Sequence, residues 1–281
     1  MEPIVYRDVN AFAQEVMPLL TAREAEHNLP IGILDRGLGD PATCADWYMA
    51  RLPWGEDSLI ALRTPPHNLI LASPRVGLPE GALDALIDQL ARRNMAVPGV
   101  IGEKLLAHAF ARRYAARRGL SYAVRTEERV YRLTELADVP RVGALRKAAR
   151  KDLPFLPYWM KDFNEFCFGQ PAELDPEGPA RQVAQGLYYL LEVDGLPVSL
   201  AGTPRQTPHG RSVGPVYTPP YLRGRGYATA CVAMLSERIL SWGNDFCVLF
   251  ADLANPVSNS VYQKIGYRPV CDVSDLSFTQ G

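Results

Sequence analysis

The chain has 281 residues, of which 47% are hydrophobic, so it is long enough to form one large or two modest domains with sizeable cores. It carries 30 basic and 31 acidic residues, and the resulting net charge of −1 predicts no general attraction to nucleic acid or to an anionic membrane. No apolar run reaches about 18 residues and no basic leader precedes an apolar segment, so neither membrane spanning nor secretion is expected.

The number and spacing of the cysteines indicate which cellular compartment and which cysteine chemistry to expect. There are five, an odd number, and they form no C-x-x-C pair, so they predict neither a disulfide framework nor a metal site. Cys231 and Cys247 lie in apolar stretches, which is typical of small core residues. This usage favours a reducing, cytoplasmic compartment.

The first half of the chain is predicted to alternate helices and strands. Amphipathic periodicity indicates the helices, and apolar or alternating runs indicate the strands. Helices are expected over Val9–Glu26, Ala42–Arg51, Glu80–Arg93 and Ile101–Arg117, and strands over Leu59–Arg63, Leu69–Ser73 and Tyr122–Leu133. Leu29–Asp40 contains three glycines and is predicted to be a loop.

Residues 138–179 connect the two halves of the chain. Val142–Asp152 predicts the start of a basic helix, and the strongly aromatic segment Leu153–Phe168 follows it. Beyond this connection, Leu187–Val193 and Pro197–Pro204 flank Asp194-Gly195, a pattern that predicts a β-hairpin.

The most informative segment is a strand that leads through a glycine-rich turn into a helix. Val213–Thr218 is rich in β-branched and aromatic residues and predicts a strand, which Pro219-Pro220 ends. Gly224 and Gly226 let a ligand approach the backbone closely, and the helix Ala228–Trp242 begins directly afterwards. Free N–H groups at a helix N-terminus favour an anion, so the turn predicts a diphosphate site. An ordinary tight connection is the alternative.

A dinucleotide-binding (Rossmann) turn is a second interpretation of these glycines. The pattern Gly224-x-Gly226-x-x-Thr229 lacks the third glycine of that fingerprint. The acidic residue expected about 20 residues later is matched only loosely, by Asp245 or Asp252. Too little chain follows the turn for a doubly wound sheet, so the sequence disfavours this interpretation.

A second strand and helix follow the turn. Phe246–Ala251 is an unbroken apolar run that predicts a buried strand, and the helix before it implies a parallel pair with a right-handed crossover. Asn255 is a good N-cap, and Gly266 ends the helix that it starts. The spacing of Asn255, Ser258 and Tyr262 places them on one face of that helix. A capped helix with a core tyrosine is the alternative.

In this order, the two motifs resemble the acyl-coenzyme A site of the GNAT superfamily of N-acetyltransferases. The resemblance covers roughly residues 185–279, and the segments VYTPP and RGRGYA are similar to those of a bacterial subgroup of tandem GNAT proteins. It implies an α/β (α+β) fold, with a mixed central sheet flanked by helices and splayed parallel strands that hold acyl-CoA in the C-terminal half.

The subgroup also implies a division of the chain into a degenerate GNAT-like domain, residues 1–134, and a catalytic GNAT domain, residues 135–281. The first half lacks both motifs. Pro74–Gly81 contains no R-x-x-G-x-G/A turn, and the helix after Pro98-Gly99 has no tyrosine at the matching place.

The resemblance further implies roles for individual residues. It places Tyr262 near the thioester sulfur as the catalytic residue. The coenzyme-binding residues that it implies are Val216, Tyr217 and Thr218 for pantetheine, Arg223, Gly224, Arg225, Gly226, Tyr227, Ala228 and Thr229 for pyrophosphate, and Asn255 and Ser258 from the last helix. The strand Arg211–Pro215 lacks the glutamate base of some GNAT enzymes, and Glu192 and Asp252 are only the nearest carboxylates in sequence.

The implied reaction moves an acetyl group from acetyl-CoA to a primary amine of a small molecule or peptide, by direct attack in a ternary complex and without a metal ion. Two alternatives stay open: a coenzyme A-binding sensor or scaffold without turnover, and an acyltransferase that acts on a small thiol-cofactor precursor. The aromatic segment Leu153–Phe168 fits either helices that cap the acceptor pocket or a flap that packs on its own sheet. The sequence does not determine the acceptor, the acyl chain length or the oligomeric state.

Overall fold

The computed structural model describes residues 2–75, 77–169 and 171–280. The chain divides into two compact units. Unit one comprises Met1–Val130 together with Val270–Gly281, and unit two comprises Tyr131–Pro269. The last residues of the chain, from Val270 onward, therefore group with unit one.

The described residues contain the following helices and strands. The helices are α1 Val9–Thr21, α2 Asn28–Gly39, α3 Ala82–Arg92, α4 Lys104–Arg118, α5 Leu156–Phe168, α6 Glu177–Ala184, α7 Tyr227–Ser241 and α8 Pro256–Ile265. The strands are β1 Ile4–Tyr6, β2 Tyr48–Trp54, β3 Asp57–Arg63, β4 Leu69–Ala72, β5 Gly99–Glu103, β6 Leu120–Leu133, β7 Ala144–Lys147, β8 Tyr188–Val193, β9 Leu196–Gly202, β10 Gly210–Ser212, β11 Val216–Tyr217, β12 Phe246–Asp252 and β13 Arg268–Gln280.

Unit one is built on a mixed sheet in the order β1-β2-β3-β4-β5-β13-β6. One face packs on α3 and α4 through residues such as Leu86 and Phe110, and the other packs on α1 and α2 through residues such as Phe12 and Leu34. β4 and β5 run parallel, and α3 joins them. β4 is paired on both sides, with β3 and with β5, so this parallel pair stays closed.

Unit two contains a four-stranded antiparallel sheet in the order β11-β9-β8-β7, and a separate pair formed by β10 and β12. β10 and β12 are parallel, with Gly210 opposite Phe246 and Ser212 opposite Val248, and α7 joins them. One hydrophobic cluster lies against α7 and α8, and another lies beneath α5.

A gap opens in unit two because one stretch of chain changes sheets. The predicted strand Val213–Thr218 is not continuous: β10 pairs with β12, whereas β11 leaves it and pairs with β9, Val216 lying opposite Ala201. The backbone N–H of Val213 still donates to the Val248 oxygen (2.8 Å), and β12 then continues to Asp252. The last residues of β12 therefore run past the point where β11 diverges.

Most of the predicted elements are confirmed, including the hairpin around Asp194-Gly195, but the segment Leu29–Asp40 was predicted wrongly. It forms the helix α2 and not a loop. The glycines weaken a helix by roughly 1 kcal/mol each. Burial of Ile31 and Leu34 outweighs this cost, and a Cβ on Gly37 would come within 2.7 Å of the Trp47 ring.

Two other helix predictions were wrong for a related reason. Ala42–Arg51 gives way to a short 3-10 turn and then β2, which pairs along its whole length with β3. Val142–Asp152 contains β7, an edge strand on β8 whose Leu145 side chain is buried. In both cases pairing with a distant strand overrides local helix propensity.

Candidate active site

The glycine turn presents an uncapped helix N-terminus. Gly226 is the N-cap of α7 and has φ +79°, no side chain caps the helix, and Gly224 has φ +76°. The first intrahelical bond runs from Ala230 to Gly226, so the three preceding amides have no partner within the helix. A Cβ placed on either glycine would meet no protein atom within 4 Å. The two glycines thus allow the positive φ angles of the turn, and the space beside them is open.

Arg223 ties the turn to two neighbouring elements. Its Nε donates a hydrogen bond to the Thr218 backbone oxygen (2.9 Å), and its guanidinium lies 5.0 Å from the centre of the Phe166 ring on α5. Arg225 is exposed. The turn therefore combines two cationic side chains with free helix amides, the requirements of an anion site.

β11 is held by a buried polar network. The Ser199 hydroxyl donates to the Tyr217 backbone oxygen (3.1 Å) and lies 2.9 Å from the Thr218 hydroxyl. The Tyr217 hydroxyl donates to Asp162 on α5 (2.9 Å). β11 is the edge of its sheet, so among the described residues no strand pairs with its outer side. Such an edge, facing a gap, offers backbone groups to an extended ligand.

The start of α8 is fixed by its own side chains. As predicted, Asn255 caps the helix and accepts the Ser258 amide (3.1 Å), and the Ser258 hydroxyl donates back to the Asn255 backbone oxygen (3.1 Å). Sequence reasoning missed Asn259, whose side-chain amide donates to the backbone oxygens of Asp252 and Asn255 (2.7 Å each) and accepts the Tyr131 hydroxyl (2.8 Å). The local sequence feature that could have pointed to Asn259 is its position four residues after the N-cap.

Tyr262 lies in the core of unit two and is 8% exposed. Its ring centre is 6.4 Å from that of Tyr131 and 6.0 Å from that of Tyr267. Burial raises the pKa of the Tyr262 phenol well above its ordinary value, and the negative charge of Cys167 as a thiolate would act in the same direction. The phenol is therefore protonated, and able to donate, throughout the physiological range.

The predicted site residues all belong to unit two. Val216 and Tyr227 pack against the same hydrophobic cluster that contains Tyr262. Sequence predicted the strand, the turn and the capped helix, but it did not predict the contacts of α5. That helix reaches Tyr217 and Arg223.

Comparison with known proteins gives the fold. Residues 193–273 match the family model described as FR47-like protein. An acetyltransferase of the GNAT family from Colwellia psychrerythraea is 13% identical with a TM-score of 0.57, covering 99% of each chain. A GCN5-related N-acetyltransferase from Sphaerobacter thermophilus is 17% identical with a TM-score of 0.61, covering 99% of this chain and 95% of that one. The chain has the GNAT fold.

A tandem GNAT protein is also similar to the chain. This protein, from the clavulanic acid biosynthesis pathway, is 12% identical with a TM-score of 0.60, covering 99% of this chain and 98% of that one. The comparison with curated protein sequences found no match. The predicted GNAT resemblance is confirmed, by the family model over residues 193–273 and by the fold over nearly the whole chain.

Within this GNAT fold, neither carboxylate nearest in sequence is poised as a base. Glu192 forms an ion pair with Arg146 (2.8 Å). Asp252 accepts the Ala254 amide (2.8 Å). Both carboxylates therefore already have polar partners within the protein.

Two features are absent from the described residues. Within residues 2–75, 77–169 and 171–280, no group of three or more His, Cys, Asp or Glu side chains is arranged to hold a metal ion. No helix in this part of the chain is both long and apolar enough to cross a membrane.

Proposed function

We propose that the chain is an acetyl-CoA-dependent N-acetyltransferase that acts on a primary amine of a small molecule or peptide in the cytoplasm. The observation that carries this proposal is the gap between β11 and β12, which lies next to a glycine turn and an uncapped helix N-terminus. A diphosphate at the turn and an extended arm along β11 fit these two features together, whereas a phosphate alone would use only the turn.

The coenzyme would be held mainly by backbone. The proposed pantetheine contacts are Val216, Tyr217 and Thr218, on the free edge of β11. The turn, residues 223–229, would bind the diphosphate through its amides and its two arginines. Asn255 and Ser258 approach from α8, although both are already engaged in capping that helix. Their contribution would therefore be to hold the start of α8 in place beside the coenzyme.

The proposed reaction is direct attack in a ternary complex. The amine nitrogen forms a bond to the thioester carbonyl carbon, the carbon–sulfur bond breaks, the thiolate leaves, and water takes the proton of the amine. Bringing the two reactants together supplies much of the acceleration. A backbone N–H on β11, from Val216 or Tyr217, would polarise the carbonyl oxygen.

Tyr262 would stabilise the leaving thiolate with a hydrogen bond. A thiol has a pKa of about 8.5 and a tyrosine about 10, so complete proton transfer from the phenol is unfavourable even before burial. Because burial raises the pKa of Tyr262 further, the difference widens. Hydrogen-bond donation to the sulfur, without transfer of the proton, follows from these values.

The acceptor must lose its own proton before it attacks. An α-amine with a pKa of about 8 is roughly one-tenth neutral at pH 7, whereas a lysine-like amine of about 10.4 is far below one per cent neutral. With Glu192 and Asp252 both engaged elsewhere, a dedicated base is not required for an α-amine substrate. Deprotonation by water then limits the range of amines that react quickly.

For residues 1–134 we propose a degenerate GNAT-like domain that binds no coenzyme, beside a catalytic domain over residues 135–281. The connection Ser73–Gly81 has the same length as Thr218–Gly226, and Gly81 (φ +78°) caps α3 as Gly226 caps α7. The parallel strands differ, however. β4 is paired on both sides and leaves no gap for an extended arm.

Incubation of the purified chain with acetyl-CoA and a panel of α-amines, lysine-like amines and thiols tests the proposal. Mass spectrometry should detect one added acetyl group on an amine nitrogen. Transfer to a thiol would favour the cofactor-precursor alternative. Calorimetric binding of acetyl-CoA without any product across the panel would favour a sensor or scaffold. Absence of binding would refute the assignment.

A further inference from the structure

Helix α5 contacts two elements of the proposed coenzyme site. Asp162 accepts a hydrogen bond from the Tyr217 hydroxyl on β11 (2.9 Å), and the Phe166 ring centre lies 5.0 Å from the Arg223 guanidinium at the diphosphate turn. The C-terminal half of α5 therefore bridges β11 and the turn.

The contact with Arg223 accounts for an aromatic side chain at position 166, whereas packing in the core does not. Its side chain is 59% exposed, and it is absent from the hydrophobic cluster beneath α5, which contains Leu156 and Trp159. A guanidinium within about 6 Å of an aromatic ring is attracted to the face of that ring. The ring thus restricts a long, flexible side chain that Nε alone anchors to Thr218.

We propose that Phe166 is a positioning residue of the diphosphate site, and that it links occupancy of that site to the seating of α5. This inference rests on the proposed function, because it requires a diphosphate at residues 223–229. The Phe166 ring fixes the plane of the Arg223 guanidinium, so that its terminal nitrogens face the turn. A diphosphate that binds those nitrogens restricts Arg223 further and strengthens its contact with α5.

The link works in both directions. Binding free energies of two coupled events are reciprocal, so a seated α5 strengthens coenzyme binding and bound coenzyme holds α5 against the turn. Asp162 on that helix then keeps its position beside β11.

The test compares coenzyme A affinity by calorimetry in Phe166→Leu, Phe166→Trp, Arg223→Gln and the double variant Phe166→Leu/Arg223→Gln. Tyr158→Leu is the matched control, because Tyr158 is an exposed aromatic residue on the same helix (58%) that has no arginine stacked on it among the described residues. The proposal predicts that Phe166→Leu weakens binding about two- to fivefold, the range of an exposed cation–π contact. Phe166→Trp should bind as tightly as the natural chain, and Tyr158→Leu should not differ from it.

The double variant separates positioning from general packing. If Phe166 acts through Arg223, Phe166→Leu should cost nothing further once Arg223 is glutamine. An equal loss in both backgrounds, or unchanged affinity of Phe166→Leu, would overturn the inference while leaving the proposed function intact. If the natural chain itself does not bind coenzyme A, the proposed function fails and this inference fails with it.

Discussion

The sharpest test of the coenzyme site compares two glycines that differ only in their surroundings. Gly226 has φ +79° and Gly195, in the β8–β9 hairpin, has φ +77°. Both belong to unit two, both are exposed, and a Cβ on either would meet no atom within 4 Å. Gly226→Ala and Gly195→Ala therefore impose the same backbone strain and no steric clash.

The expected costs to stability are equal. An alanine held near φ +80° is destabilised by about 1–2 kcal/mol, which corresponds to roughly 2–4 °C in melting temperature per kcal/mol for a protein of this size. The costs to binding differ. At Gly226 the added methyl group projects into the open space beside the turn. There it would block charge-assisted hydrogen bonds from the α7 amides, worth about 1.5–3 kcal/mol each.

Calorimetry of acetyl-CoA binding and thermal melting of both variants decide the point. Gly226→Ala should bind about 10- to 100-fold more weakly than Gly195→Ala, while the two melt within a degree or two of each other. If both variants melt alike and bind alike, no ligand uses the space at Gly226, and the diphosphate assignment is wrong. Unequal melting would show that the strain is not matched, and Gly224→Ala, at φ +76°, would then replace Gly226→Ala.

Three further predictions concern chemistry, stoichiometry and stability. Tyr262→Phe should leave acetyl-CoA affinity within about twofold and lower kcat about 10²-fold, and full activity of the variant would show that Tyr262 only packs in the core. Because burial raises the phenol pKa, ionisation of Tyr262 should cause no loss of rate in the natural chain up to about pH 10. Calorimetric titration should give one coenzyme per chain, and two would contradict a degenerate first half. Asp152 is 2% exposed and pairs with Arg146 (2.7 Å); burial acts to raise its pKa, but the Arg146 and Ala149 hydrogen bonds leave it lowered. Asp152→Asn should therefore lower the free energy of unfolding by about 2 kcal/mol at pH 7. Denaturant unfolding should show this difference shrinking as the pH falls below about 4, through the lowered pKa of Asp152. A difference that stays constant with pH would show that the charge of Asp152 is not its cause.

Local chemistry was sufficient to predict the parts of the site that depend on neighbouring residues in sequence. Gly224 and Gly226 indicate a tight strand-to-helix turn that a ligand can approach, and Asn255 indicates the start of a helix three residues before the amide that it caps. The apolar run of β12 indicates a strand buried on both faces. These features are encoded within a few residues, because glycine conformation, capping and continuous hydrophobicity act over that distance.

Tertiary structure decided the features that depend on distant partners. The strand around Val213–Thr218 divides because its two ends find different strands, and the helix α2 forms because burial outweighs the cost of its glycines. The end of β13 groups with unit one through its antiparallel pairing with β5, in which Val273 lies opposite Glu103. Arg223 finds Phe166 more than fifty residues earlier in the chain. The sequence thus determines the turn and its charges, and the packing of α5 and β11 determines which way those charges face, because burial and pairing energies from distant residues exceed local propensities of a few tenths of a kcal/mol per residue.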